Sequence, residues 1–172
     1  VSETRGAERV DIKGPWLPTL MIPFGAVPAE GDLTNIDEDM AHSLRVNLLG
    51  VERLIGRLAQ TLSHKGEGVD PMHVLLPLSP NHGQMGRDGL YAEAKIGLET
   101  LLLRWTSEYS SWGHATSLCG AHIGWVRGTG LMSGLDRVYE EVEKQLGVKT
   151  FSTEEMASLL LDNCNQGDRK ST

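Results

Sequence analysis

Three residues near the middle of the chain have the types and the spacing of a proton-transfer site. Ser79 directly follows the apolar run 72–78, MHVLLPL; Tyr91 comes twelve positions later and Lys95 four after that, in Tyr-Ala-Glu-Ala-Lys. Positions four apart share one face of a helix, so a phenol and an ammonium there can point into the same cleft. An unperturbed tyrosine, with a pKa of about 10, exchanges protons sluggishly at neutral pH. A cation beside it favours phenolate, and a move from about 10 to about 7 takes roughly 4 kcal/mol of differential stabilisation. A serine at the strand end can hydrogen-bond a carbonyl oxygen. Together the three suit a carbonyl whose oxygen is held and protonated while hydride arrives at carbon. Tyr-x-x-x-Lys alone is common by chance, and a lone serine is most often a turn residue. The weight rests on the set: a serine ending a buried strand, a Gly-rich loop, and Tyr-x-x-x-Lys opening a helix.

The elements that must position these groups alternate along the chain. Residues 1–14 are polar with little periodicity. The run 16–27, WLPTLMIPFGAV, is broken by prolines and leaves room for a short strand around Thr19–Ile22. Residues 34–63 are predicted to be one long helix, capped by Thr34 or Asn35. Its apolar positions Leu44, Leu48, Val51, Leu54, Ile55 and Leu58 recur at three- and four-residue spacing. The continuous apolar run 72–78 reads as a strand buried on both faces. A loop follows over 79–90, SPNHGQMGRDGL, then a helix over 91–109 with Ile96, Leu98, Leu101, Leu102 and Trp105 as its apolar positions. Another buried-looking strand falls within 114–126, followed by the loop RGTGLMSG and helices near 134–146 and 152–163. The tail NQGDRKST is expected to be disordered. Strand, helix, strand, helix, strand predicts an α/β class: a Rossmann-like parallel sheet with flanking helices. Ligands of such sheets bind at the carboxyl ends of the strands, where Ser79 lies.

Composition narrows the field. A chain of 172 residues can hold one domain with a core. A net charge of −7 and the lack of any dense Lys/Arg run argue against a nucleic-acid partner. No apolar run approaches the roughly 20 residues of a membrane helix, and no signal peptide is seen. Two cysteines, Cys119 and Cys164, are too few for a disulfide framework and point to a reducing, cytoplasmic setting. Cys119-x-x-His122 has the look of half a zinc site, but no partner pair has matching spacing. Core packing is the expected role, and no metal site is predicted. The start at Val1 with VSETRGAER reads as a cut from something larger; processing or an expressed fragment would look the same.

The Ser79, Tyr91, Lys95 arrangement resembles the short-chain dehydrogenase/reductase family. Asn47, within Arg-Val-Asn-Leu-Leu-Gly, matches that family's fourth catalytic position; the alternative is a solvent-facing or helix-bending amide. Longer segments are similar to the ketoreductase of type I fatty acid synthases, fungal or actinobacterial: PMHVLLPLSPNHGQMGRDGLYAEAKIGLETLLLRW, HIGWVRGTGLMSG, DIKGPWLPTLMIPFGAV and FSTEEMASLLLDNC. The similarity runs from about residue 11 to about 164 with the segments in order. It implies NADPH-dependent reduction of a 3-oxoacyl thioester. The substrate would arrive on the phosphopantetheine arm of an acyl carrier domain, within an oligomeric multifunctional synthase.

Carried over, Tyr91 is the implied proton donor. Lys95 lowers its pKa and holds the nicotinamide ribose, Ser79 orients the carbonyl, and Asn47 holds a water that relays protons from Lys95. Gly124 and Thr129, after the third strand, fall at the nicotinamide loop. Ala26, in Phe24-Gly25-Ala26, stands where many members carry Asn-Ala-Gly, so contact there would be mainly through backbone. Trp125, Met132 and His82 are candidates for lining the acyl entrance, with core packing or plain solvation as their alternatives. Arg127 could meet a phosphate or pair with a carboxylate. The family's glycine-rich pyrophosphate turn is not found. Gly128-Thr-Gly130-Leu-Met-Ser-Gly134 places its third glycine one position late for that turn. The resemblance therefore implies that 1–164 is a partial ketoreductase domain, the C-terminal half, whose dinucleotide-binding half lies upstream and whose sheet has an exposed apolar edge. Residues 165–172 would be a flexible tail.

Overall fold

The computed structural model describes residues 2–5, 8–11, 17–64, 69–130, 139–147 and 149–164. Met132, the loop around it, and the tail 165–172 lie outside the described residues.

Two short strands, β1 (Ser2–Arg5) and β2 (Glu8–Asp11), pair antiparallel. They fall where the sequence shows no hydrophobic period, because a ladder held by backbone hydrogen bonds needs none. β3 (Leu20–Met21) lies within the predicted Thr19–Ile22. The long predicted helix is continuous in space but not uniform. It comprises α1 (Glu38–Leu44), a π-helical stretch Arg45–Gly50, and α2 (Val51–Ser63). Its cap is Asp37, whose Oδ1 accepts from Met40 N at 2.9 Å, rather than Thr34 or Asn35. Those two are taken up in a turn of their own: Asp32 N donates to Asn35 Oδ1 at 2.8 Å, and Thr34 N donates to Asp32 Oδ1 at 2.9 Å. Short polar side chains that can bond nearby backbone offer the chain such alternatives to helix.

β4 (Met72–Leu78) matches the predicted strand residue for residue, and every side chain in it is buried. After α3 (Tyr91–Ser107) and a 3₁₀ turn (Gly113–Ala115) comes β5 (Thr116–His122). The remaining elements are β6 (Trp125–Val126), α4 (Tyr139–Leu146), β7 (Thr150–Phe151) and α5 (Thr153–Asn163). The central sheet runs β3-β4-β5 with both pairings parallel, and β6 pairs β7 in parallel beside it. This is the predicted α/β architecture.

The continuous apolar run of β4 has a direct cause. Met72, Val74, Leu76 and Leu78 pack against Val51, Ile55, Ala59 and Leu62 of α2 and Leu98 and Leu101 of α3. Leu75, on the opposite face, meets Met156 and Leu160 of α5. Both faces of the strand are covered, so alternation has no reason to exist. β5 is different. Among its residues only Thr116 is buried, and Cys119 and His122 are exposed, so the reading of a buried strand with a core-packing Cys119 is corrected. At the edge of the described sheet β5 lacks a second neighbour. No described helix is long and apolar enough to cross a membrane.

Candidate active site

Ser79 directly follows β4 and is buried, as the strand's last apolar side chains are. Its Oγ accepts from Asn81 N at 3.1 Å, which starts the loop 79–90 with a tight serine turn. Asn81 organises the rest of that loop. Its Nδ2 donates to Asp88 Oδ2 at 2.7 Å, and its Oδ1 accepts from Gly83 N at 3.1 Å. Asp88 O then accepts from Tyr91 N at 3.1 Å, fixing the start of α3. Asn81 and Asp88 went unnoticed in the sequence; the signal was an Asn two residues after a strand-ending serine, a position suited to local side-chain turns.

The same loop is tied to the one after β3. Gly31 N donates to Arg87 O at 3.3 Å and Gly89 N donates to Gly31 O at 3.2 Å. Gly89 has φ +63°, and a Cβ there would lie 3.0 Å from Ala29 Cβ, so the close approach requires glycine.

Asn47 is the one buried residue of the π-helical stretch. Its amide reads the backbone of Val27 as another peptide would: Oδ1 accepts from Val27 N at 2.8 Å, and Nδ2 donates to Val27 O at 2.9 Å. Nδ2 also donates to Ser43 Oγ at 3.0 Å, and Ser43 Oγ donates to Val27 O at 2.7 Å. Asn47 therefore fixes the loop that carries Ala26, which is partly buried. Its amide is committed to that task, and Ser43, its helper, was missed from sequence.

Tyr91 and Lys95 lie one turn apart at the start of α3, as the four-residue spacing requires, with Lys95 Nζ 5.6 Å from the Tyr91 ring centre. Lys95 is buried, and its Nζ donates to Pro77 O at 2.7 Å. Pro77 explains that contact. Odd-numbered residues of β4 turn their backbone groups toward β3, as His73 N donating to Thr19 O shows. Even ones turn toward β5, as Leu78 O accepting from Ile123 N shows. β3 pairs only as far as Val74. At Pro77 the strand has outrun its neighbour, so no N–H is needed and the carbonyl is available to a cation.

The electrostatics depart from the sequence expectation. Burial pushes the Tyr91 phenol above its ordinary value; the Ser79 hydroxyl pulls it back, and the Asp88 carboxylate pushes it further up. Lys95 is not the controlling influence. Burial lowers its own pKa, and its ammonium is turned to Pro77 O. The expected lowering of Tyr91 by Lys95 is therefore not seen.

The other candidates are spread more widely. Gly124, Trp125 and Thr129 cluster around the β6–β7 pair, where Thr129 Oγ1 donates to Val126 O at 3.1 Å. Among the described residues the buried Trp125 indole N–H meets no acceptor. Arg127 pairs with the Glu155 carboxylate at 3.6 Å and lies over the Tyr139 ring. His82 is exposed and bonds Glu99 Oε1 at 2.8 Å through Nε2.

This architecture is the short-chain dehydrogenase/reductase fold. A solved 4-hydroxyisoleucine dehydrogenase mutant, complexed with NADH and succinate, superposes with a TM-score of 0.73 at 13% identity, over 91% of this chain and 65% of that one. An angucycline C-6 ketoreductase with bound NADP gives 0.60 at 16% identity, over 90% of this chain and 58% of that one. No protein-family model matches the chain. In sequence, most of the chain is similar to one segment of fungal fatty acid synthase alpha subunits. Identity is 49% over 147 residues in Penicillium patulum, covering 85% of this chain and 8% of that subunit. It is 50% over 145 residues in Gibberella zeae, covering 84% and 9%. It is 46% over 147 residues in Saccharomyces cerevisiae, covering 85% and 8%. The resemblance to type I fatty acid synthases is thus borne out, on the fungal side. The chain spans less than a tenth of the length of these relatives.

Proposed function

We propose that the chain supplies the carbonyl-reducing site of a fatty acid synthase, an NADPH-dependent 3-oxoacyl-[acyl-carrier-protein] reductase. The observation that carries this is the convergence of Ser79, Tyr91 and Lys95 at the carboxyl end of β4. It is supported by the similarity to synthase alpha subunits. In this reading Ser79 Oγ holds the substrate carbonyl oxygen and the Tyr91 hydroxyl donates the proton to it. A phenol held above its ordinary pKa stays protonated at neutral pH, so the proton is there to give, and efficient transfer needs a cation to bring that value down once substrate and cofactor are bound.

A nicotinamide nucleotide fits the donors present. An ammonium has three N–H groups, and Lys95 gives one to Pro77 O, which leaves two for ribose hydroxyls. On the carboxamide side the Thr129 hydroxyl, whose proton goes to Val126 O, can accept from the amide N–H, and the Trp125 indole N–H, unmet among the described residues, can donate. The reduced nicotinamide would supply the hydride. The Asn47 side-chain amide holds the Ala26 loop against that side of the site, and the water of a proton relay from Lys95 is part of the same reading.

The pyrophosphate-binding half, the acyl carrier domain with its phosphopantetheine arm, and an oligomeric cytoplasmic setting belong to the same reading. The test is a substrate screen on the full-length protein carrying this sequence. NADPH oxidation is followed with a 3-oxoacyl thioester, a simple ketone and a nucleotide sugar, each repeated with NADH. Preference for the thioester with NADPH is expected. Turnover of the nucleotide sugar or the ketone alone would assign the site to a different enzyme of the same fold.

A further inference from the structure

Beside Ser79, and outside the residues given a part in the reduction above except His82, three side chains from three elements converge. His82 comes from the loop after β4, Glu99 from α3 and His122 from the end of β5. One ligand atom of each lies within 4.8 Å of the other two. The sequence had paired His122 with Cys119, but residues three apart on a strand face opposite ways. The fold brings His122 to His82 instead, with ring centres 5.9 Å apart.

We propose that His82, Glu99 and His122 form a binding site for a divalent transition cation of the zinc class. Two imidazoles and a carboxylate are a donor set that such ions take, with further positions left to water. The tautomer argument is specific. His122 Nδ1 lies 3.3 Å from Ser79 O. With the ring proton on Nδ1 donated to that carbonyl, the lone pair falls on Nε2, free to bind an ion. A ligating histidine ordinarily anchors its second nitrogen on a backbone carbonyl or carboxylate in this way. Glu99 Oε1 accepts from His82 Nε2 at 2.8 Å, so the two side chains already meet, and an ion bound there would displace that proton.

Ligand atoms around zinc lie about 3.4 Å apart, from bond lengths near 2.1 Å and tetrahedral angles. The three ligand atoms lie within 4.8 Å of one another, with His82 Nε2 and Glu99 Oε1 at 2.8 Å, so the separations bracket that spacing, and both imidazole rings are exposed. An ion there would tie the loop 79–90 to α3 and β5 and, through His122, to the Ser79 carbonyl.

The experiment is a Zn²⁺ titration of the full-length protein carrying this sequence, with Co²⁺ absorption as a second readout. The variants are His82→Ala, His122→Ala, Glu99→Gln and, as a distant exposed control, His64→Ala. The wild type is expected to bind one ion more per chain than the His82→Ala/His122→Ala double variant. Each single site variant should weaken binding about tenfold or more, at least the loss typical of removing a ligand's supporting partner. His64→Ala should leave binding unchanged. Equal stoichiometry and affinity in wild type and double variant would overturn the site, as would weakening confined to one of the three residues. Matching melting temperatures exclude misfolding, and Glu99→Gln keeps the side-chain shape should the alanine variants fail that check. Because the readout is binding, its failure and a failure of the reductase reading are separate results.

Discussion

At the residue scale the candidate site divides into groups proposed to meet a substrate and groups that hold those in place. Tyr91 is held protonated by burial. Reduction is therefore expected to be level through neutral pH and to fall only beyond the ordinary tyrosine range, since burial raises the phenol above it. A pH–rate profile checks this; a fall centred near neutrality would mean that another group lowers the phenol. Lys95 carries the opposite linkage. Its pKa is lowered in the fold, so between that value and the ordinary lysine value of about 10.4 the unfolded chain binds more protons. Stability from this group thus rises with pH, and the wild type should gain on Lys95→Met in melting temperature between neutral and alkaline pH. Asn47→Ala leaves the Val27 N–H without its partner, while Val27 O keeps Ser43 Oγ, and is expected to cost about 1–3 kcal/mol for the one group left unmet. Urea midpoints would read that loss. Ser79, Tyr91 and Lys95 were legible in sequence because their spacing follows helical and strand geometry. Asn81, Ser43 and Asp88 were not, because a turn-holding side chain leaves no periodic trace.

Among the elements, the π-helical stretch Arg45–Gly50 is the feature that sequence periodicity could not supply. The extra residue in its turn leaves the apolar spacing of α1 and α2 locally intact while turning Asn47 inward. α3 packs closely on this stretch. A Cβ at Gly97 would lie 2.7 Å from Leu48 Cδ2, so Gly97→Ala must push Leu48 aside. Overpacking of this kind costs about 1–3 kcal/mol, and a lowered urea midpoint with an unchanged slope is expected. An unchanged midpoint would show that Leu48 moves freely. β4 was read correctly because burial on both faces writes itself as an unbroken apolar run. β5 was read as equally buried because its residues are moderately apolar, whereas burial depends on which strand or helix stands beside it.

For the whole molecule, the described sheet has β3 and β5 at its edges, and β3 contributes only two paired residues. An edge this short presents unpaired backbone groups that other chain segments can cover. The 172-residue segment expressed alone is therefore expected to melt at a lower temperature than the same segment within the full-length protein, by calorimetry or limited proteolysis. Equal stability would show that these edges need no cover. Fold class could be read from the strand–helix alternation; the extent of the assembly could not, since local pattern carries no record of distant partners.

The most direct test of the account compares wild type with Tyr91→Phe in the full-length protein, following NADPH oxidation with a 3-oxoacyl thioester. The substitution removes the proton donor and almost no volume. A loss of about two or more orders of magnitude in turnover, with thioester binding and melting temperature preserved, is the predicted result. Turnover equal to wild type would contradict the assignment of Tyr91 and with it the site built around Ser79 and Lys95.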